Sequence, residues 1–174
     1  MRRGIEFVEA ELPYLAASNS KPYRYTYEPP PGVLKEVGEL DYRKTRIWSG
    51  WREAPEMTID RQGFAIGRHP TDFSDFWNRE ALLRDYYPEM EALVLAHTGA
   101  LRAIVFDHNL RHAGSTTRSP TAAGKPARLV HNDYTPSSGP QRLRDLLDPT
   151  AVQQALEHRF AMINLWRPIQ EPLR

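Results

Sequence analysis

The stretch RLVHNDYT, residues 128–135, contains the pattern that decides the expected fold and the expected chemistry. We predict a β-strand over Arg128–Tyr134, in which alternate side chains point to the same face. His131 and Asp133 are two positions apart, so such a strand would present an imidazole and a carboxylate together. These groups supply two corners of the two-histidine, one-carboxylate site that binds Fe(II). His-x-Asp is also a common triplet, and a surface pair at a strand end is the alternative interpretation.

Several other segments predict strands. Residues 1–60 consist of short extended pieces, with a strand or an extended arm at 21–31 and an edge strand at Tyr42–Trp51. The apolar, β-branched run LRAIVFDHNLR (101–111) predicts a buried strand. Two more strands are predicted from shorter apolar runs: RQGFAIGRHP (61–70) and RFAMINLWRPI (159–169).

Helices are predicted between these strands. Aromatic residues at helical spacing predict a helix that begins near Thr71, and a second helix begins at Pro88 and ends at Gly99. A third helix is predicted within residues 137–147, starting at Pro140. A fourth is predicted over Pro149–His158, with Asp148 as its N-terminal cap.

The composition indicates one globular domain that does not depend on an oxidising compartment. The chain has 174 residues, and its 23 basic and 22 acidic residues give a net charge of +1, which provides no electrostatic case for nucleic acid or an anionic membrane. The absence of cysteine excludes disulfides, thiolate metal sites and cysteine nucleophiles, and a cytoplasmic location is expected. No run approaches the ~18 apolar residues needed to cross a bilayer.

One segment, AGSTTRSPTAAGKPA (113–127), is biased towards small and polar residues and predicts a loop. It does not clearly separate two domains. We therefore expect residues 1–174 to form a single domain.

Several long segments together resemble one known family. They occur in the expected order and cover nearly the whole chain: FAIGRHPTDFSDF, YYPEMEALVLAHTGALRAIVFDHNLR, VHNDYT with SSGPQRLRDLL, and RFAMINLWRPI. They resemble the CmcJ/NvfI-like hydroxylase/desaturase family, which includes asaB-type and gibberellin-desaturase-like oxygenases. The resemblance implies a mixed α+β fold with a double-stranded β-helix (jelly-roll) core and helices packed outside. It also implies Fe(II), 2-oxoglutarate and O2 as reaction partners, with natural-product-like small molecules as substrates.

The sequence departs from this family at the third metal ligand. The family's distal histidine lies downstream, in a segment resembling HRWYYFP, and no such segment is present. His158 is the histidine that follows Asp133, and favourable charge at a predicted helix end accounts for it better than metal binding does. Either the chain is a fragment or the family core is truncated, and we expect a domain that lacks the C-terminal strands of the barrel. Exposed sheet edges would then favour a homo- or hetero-oligomer.

The resemblance also suggests residues for the substrate. It places His108 and Arg111 near the cavity, although a hydrogen-bonded strand residue and a surface charge are equally good interpretations. Tyr134 and Thr135 follow the metal pair and could line the same pocket.

Arg167 and Asn164 are candidates for binding the co-substrate. A guanidinium pairs with a carboxylate through two hydrogen bonds, so Arg167 could hold 2-oxoglutarate; its alternative role is a salt bridge at the strand end. Asn164 would face the opposite side of a regular strand, and the two side chains share a cavity only if the strand bends or bulges.

Three functional hypotheses follow. The leading one is an Fe(II)/2-oxoglutarate-dependent oxygenase that hydroxylates or desaturates a small molecule. The second is a non-catalytic or accessory jelly-roll subunit with an incomplete metal triad, since a related protein works beside a partner in cephamycin methoxylation. The third is a cupin-like hydrolase or isomerase with another divalent metal, which the pair His131 and Asp133 does not exclude.

Overall fold

The computed structural model of the protein describes residues 7–18, 22–25, 27–51, 53–111 and 127–169. The chain divides into two compact units. Unit 1 contains residues 1–57 and 126–132, and unit 2 contains residues 58–125 and 133–174. Strands lie in unit 1 and α-helices in unit 2, which confirms the mixed α and β class.

Unit 1 is built on a long antiparallel ribbon. Strands β1 (Phe7–Leu15) and β4 (Leu40–Trp48) pair along their full nine residues. Between them, β2 (Tyr23–Arg24) pairs with β3 (Glu36–Val37), and a 3-10 turn follows at Ala54–Glu56. The predicted edge strand at Tyr42–Trp51 is confirmed with shifted bounds, and the strand or extended arm predicted at 21–31 is confirmed in part by β2. Among the residues of unit 1 whose side chains are described, none is buried.

Unit 2 is helical. Its elements are α1 (Ile59–Gln62), α2 (Arg79–Ala81), a π-helical turn (Leu82–Tyr86), α3 (Tyr87–Thr98), α4 (Ser138–Leu146) and α5 (Pro149–Glu157). The helix predicted between Pro88 and Gly99 is confirmed, and Gly99 ends it in the left-handed conformation at φ 66°. Asp148 caps α5 as predicted by accepting two backbone N–H bonds, whereas α4 starts at Ser138 rather than Pro140.

The π-helical turn has a physical cause in Pro88. A proline inside a helix has no N–H to donate, and its ring collides with the carbonyl four residues earlier. The turn before Pro88 is widened, since the Tyr87 N–H bonds to the Leu82 carbonyl, five residues back. The wider turn lets α2 and α3 follow each other without a break.

The described core lies in unit 2. Its buried apolar side chains are Phe76, Ala81, Leu82, Met90 and Val152. Phe73, Phe76 and Tyr86 form an aromatic cluster, with ring centroids 5.1–5.2 Å apart. Burial of such rings is a major source of stability. No helix among the described residues is both long and apolar enough to cross a membrane.

The helix predicted from Thr71 is wrong, because regular helix begins only at Arg79. The Thr71 hydroxyl accepts the Phe73 N–H and donates to Glu89. A side chain that bonds nearby backbone in this way competes with helix formation.

Four predicted strands are also wrong: 61–70, 101–111, 128–134 and 159–169 are not strands, apart from an isolated bridge at Arg111. A strand needs a ladder of backbone partners, and here several N–H groups bond elsewhere. The Val105 N–H bonds to the Glu91 carboxylate and the His108 N–H to the Asp107 carboxylate. The predicted loop at 113–127 lies outside the described residues except for its last one.

Candidate metal site

His131 is an exposed residue of unit 1 whose ring orientation is fixed by a backbone contact. Its Nδ1 lies 2.7 Å from the Leu129 carbonyl oxygen. A carbonyl can only accept, so Nδ1 carries the hydrogen. In the neutral imidazole the lone pair is then on Nε2. A histidine that binds a metal ion through one ring nitrogen commonly donates from the other in this way.

Asp133 is an exposed residue at the start of the second segment of unit 2. Its Oδ2 accepts a hydrogen bond from Asn164 Nδ2 at 2.6 Å. A carboxylate offers about four acceptor positions, so this bond is compatible with metal binding by the same group. The structure thus brings together Asp133 and Asn164, two of the residues singled out from the sequence.

The donor chemistry of these two residues fits Fe(II). An imidazole with its lone pair on Nε2 and a carboxylate oriented by an amide are donor types found in non-haem iron sites. The boundary between the two units falls between Asn132 and Asp133, so His131 belongs to unit 1 and Asp133 to unit 2. Among the described residues, no group of three histidine or acidic side chains is arranged to hold a metal ion.

Arg167 occupies a partly buried position in unit 2, with 19% of its side chain exposed. Its Nη1 donates to the Tyr86 hydroxyl at 3.1 Å and lies 3.9 Å from Glu89 Oε1, and its Nη2 donates to the His69 carbonyl. The guanidinium also lies 5.6 Å from the centre of the Tyr86 ring. These contacts match the salt-bridge role that was the alternative for Arg167.

Glu89 joins these contacts into one cluster. Its Oε2 accepts from the Thr71 hydroxyl at 2.7 Å, and its Oε1 lies 3.1 Å from His69 Nε2. We call His69, Thr71, Tyr86, Glu89 and Arg167 the Glu89 cluster. Burial raises the pKa of Tyr86, an effect that nearby Arg167 opposes.

Part of the Glu89 cluster borders an open depression of about 430 Å³. Its lining residues are His69, Pro70, Thr71, Asp72, Phe73, Asp85 and Glu89. Sequence reasoning missed the roles of His69, Thr71 and Glu89. The one available signal was that they fall in segments that carry the family resemblance.

His108 is half-buried and hydrogen-bonded, as its alternative interpretation expected, but it does not lie in a strand. Its Nδ1 lies 2.7 Å from the Tyr87 hydroxyl, and the two rings meet edge to face. Burial, reinforced by Asp107, raises the pKa of Tyr87. Arg111 is exposed.

Tyr134 and Thr135 have local partners in unit 2. The Tyr134 hydroxyl accepts from Arg142 Nε at 3.3 Å, and both residues pack against the Phe106 ring. Thr135 caps the start of α4, where its hydroxyl accepts the Ser138 N–H at 3.1 Å and its own N–H donates to the Ser138 hydroxyl at 2.8 Å.

Comparison with known proteins identifies the family. The family model described as "Oxidoreductase/YMDC permease-like domain" matches residues 12–174. The chain therefore belongs to this family.

Three curated fungal relatives show the range of similarity. The chain is 35% identical over 154 residues to the Fe(II)/2-oxoglutarate-dependent dioxygenase nvfI of Aspergillus novofumigatus, covering 86% of this chain and 54% of that protein. It is 25% identical over 135 residues to the alpha-ketoglutarate-dependent dioxygenase phiK of a fungal species, covering 75% and 48%. It is 28% identical over 123 residues to the hydroxylase/desaturase poxK of Penicillium oxalicum, covering 67% and 37%.

A solved structure shares the fold. A variant of the iron and alpha-ketoglutarate-dependent endoperoxidase NvfI superimposes with a TM-score of 0.75 and 22% identity, over 88% of this chain and 56% of that one. The predicted resemblance to the NvfI-like hydroxylase/desaturase family is confirmed. The chain spans about half the length of the matched structure and of the nvfI and phiK relatives.

Proposed function

We propose that this chain belongs to an Fe(II)/2-oxoglutarate-dependent oxygenase that hydroxylates or desaturates a small natural-product-type molecule. The names of the relatives support the reaction class. The local contacts of His131 and Asp133 carry the proposal for this chain, because each side chain is oriented by a hydrogen bond compatible with metal binding.

His131 and Asp133 are the proposed iron ligands. Consecutive Cα atoms are 3.8 Å apart, so residues two positions apart are never separated by more than about 7.6 Å between Cα atoms. In this proposal His131 binds through Nε2 and Asp133 through a carboxylate oxygen. When bound, Fe(II) and 2-oxoglutarate would supply O2 activation and the oxidising power of the reaction, with succinate as the product of the co-substrate.

The residues around this pair would orient the co-substrate. Asn164 donates a hydrogen bond to Asp133, so it would lie next to the iron ion that the Asp133 carboxylate binds. Arg167 remains the candidate cation for a carboxylate of 2-oxoglutarate, a group that a guanidinium matches through two parallel hydrogen bonds. This role requires Arg167 to exchange its contact with Glu89 for one with the co-substrate.

The proposed substrate contacts are His108, Arg111, Tyr134 and Thr135. His108 and Tyr134 are half-buried aromatic side chains with polar atoms, a type that commonly lines small-molecule pockets. Their role would be to orient the substrate and exclude water.

The same proposal covers the domain organisation, the jelly-roll core, the cellular location and the partners of the protein. Residues 1–174 would contribute to a single oxygenase-like domain with a jelly-roll core. The shared fold with NvfI supports this architecture. The protein would act in the cytoplasm on a small molecule and O2, with neither nucleic acid nor a membrane as a partner, and could assemble with a further chain through its sheet edges.

The test is succinate formation from 2-oxoglutarate with Fe(II) in air. We expect succinate from the wild type, none from His131→Ala, and wild-type rates from His97→Ala. His97 is a suitable control because it is also exposed and also bonds a carbonyl through Nδ1. Equal turnover in the wild type and His131→Ala contradicts the proposal, while neither iron binding nor succinate in the wild type favours the accessory subunit.

A further inference from the structure

We propose that Asn164 is a positioning residue that holds the Asp133 carboxylate in the orientation needed to bind the metal ion. The inference rests on the proposed function in one respect: Asp133 must be an iron ligand. It assigns Asn164 a role that acts through Asp133 rather than through direct contact with iron.

The contact itself is directional. An amide nitrogen only donates and an ionised carboxylate only accepts, so the 2.6 Å distance between Asn164 Nδ2 and Asp133 Oδ2 has one polarity. Hydrogen bonds to a charged acceptor are about twice as strong as those between neutral groups. Both residues are exposed, and a directional hydrogen bond restricts the rotamers that an exposed side chain adopts. Asn164 therefore limits the orientations of the carboxylate.

The contact joins residues that are far apart in sequence. Asp133 and Asn164 are separated by 31 positions. Two other amide–carboxylate pairs, Gln141 with Asp145 and Gln153 with Glu157, join residues four apart on one helix, where helical spacing alone brings them together. No helical repeat accounts for the pair formed by Asp133 and Asn164, so tertiary structure must place the amide.

The segment that carries Asn164 is anchored three residues later. Residues 159–169 form no strand, so no ladder of backbone bonds fixes Asn164. Instead, Arg167 anchors the segment. It donates a hydrogen bond to Tyr86, which precedes α3, and lies 3.9 Å from Glu89, which is within α3. These contacts limit the movement of the Asn164 amide. A carboxylate that such an amide already restrains loses less conformational entropy when it binds a metal ion.

The experiment measures Co(II) affinity by calorimetry, because Co(II) replaces Fe(II) without oxidising in air. Loss of an outer contact of this kind typically weakens metal binding about 10–100-fold. We expect a loss of that size for Asn164→Ala and for Asn164→Leu, which is similar in volume but has no donor. Asn164→Gln, which keeps an amide donor, should recover part of the affinity. Gln141→Ala is the matched control and should bind as the wild type does.

Asp133→Ala and the melting temperatures of the metal-free proteins separate the possible failures. Asp133→Ala that binds Co(II) like the wild type overturns the proposed function. Asp133→Ala that loses binding, while Asn164→Ala and Asn164→Leu stay within twofold of the wild type, overturns the positioning role alone. The positioning role also fails if all three Asn164 variants bind equally weakly and melt at lower temperature without metal, since Asn164 then only supports the fold.

Discussion

Replacement of Arg167 by alanine tests whether the Glu89 cluster holds unit 2 together. The side chain donates to the Tyr86 hydroxyl and the His69 carbonyl and lies 3.9 Å from Glu89. Hydrogen bonds from a charged group contribute about 1.5–3 kcal/mol each, and their sum is reduced because the two share one side chain. The ion pair adds less than about 1 kcal/mol, as both partners retain solvent contact.

We therefore expect Arg167→Ala to lower the free energy of unfolding by about 3 kcal/mol. For a chain of this length that corresponds to about 6–12 °C in melting temperature. Arg167→Lys keeps the charge near Glu89 but loses the planar guanidinium, and should cost about half as much. Urea unfolding followed by circular dichroism of the helices reports on unit 2, where the described α-helices lie.

Arg159→Ala is the matched control. Its ion pair with Asp60 is 76% and 68% exposed, so its loss should change stability by less than about 0.5 kcal/mol. If Arg167→Ala changes stability as little as the control does, the argument from these contacts is refuted. A weaker affinity for 2-oxoglutarate in that stable variant would instead assign the guanidinium to the co-substrate.

Three further changes test local features of unit 2. Gly99→Ala places a side chain in the left-handed conformation and should lower the free energy of unfolding by about 1–2 kcal/mol. The control Gly67→Ala meets open space and should lower it by less than about 0.5 kcal/mol. Equal melting temperatures of the two variants would contradict this account of the helix end. Asp148→Ala removes the acceptor for two N–H groups of α5 and should cost about 1 kcal/mol in urea unfolding, and an unchanged midpoint would show that the cap is dispensable. Burial raises the pKa of Tyr86 and Tyr87 above the usual value of 10.0, so their contribution to the free energy of unfolding is fully present below pH 10 and is lost as pH rises through the folded-state pKa. The double variant Tyr86→Phe/Tyr87→Phe should therefore lose less stability at alkaline pH than the wild type does. An ultraviolet titration of the wild type in which every tyrosine ionises together would contradict this expectation.

Helix ends were the part of the fold that local chemistry predicted best. Gly99 and Asp148 act through backbone constraints or bonds to the nearest turn, so their effects are visible in the sequence. Pro88 and Pro140 did not mark helix starts, because Pro88 follows a π-helical turn that joins α2 to α3 and α4 begins at Ser138. The strands predicted at 101–111 and 159–169 failed because an apolar run specifies burial, while a strand also requires a partner whose position depends on the rest of the fold.

The candidate site was likewise predictable from the sequence only in part. The spacing of His131 and Asp133 is visible in the sequence, as is the donor chemistry of each residue. The hydrogen bond from Asn164 to Asp133 spans 31 positions, and the partners of Arg167 lie 81 and 98 positions away. No local pattern encodes such pairings, so the outer contacts of the site emerge only in three dimensions.

Fe(II) binding under anaerobic conditions tests the central claim most directly. A lost direct ligand should weaken binding more than the ~10–100-fold typical of an outer contact. We predict one Fe(II) per chain in the wild type and in His97→Ala, and affinities more than ~100-fold weaker in His131→Ala and in Asp133→Ala. Binding by either of these two variants with wild-type affinity would contradict the assignment of His131 and Asp133 as the iron ligands.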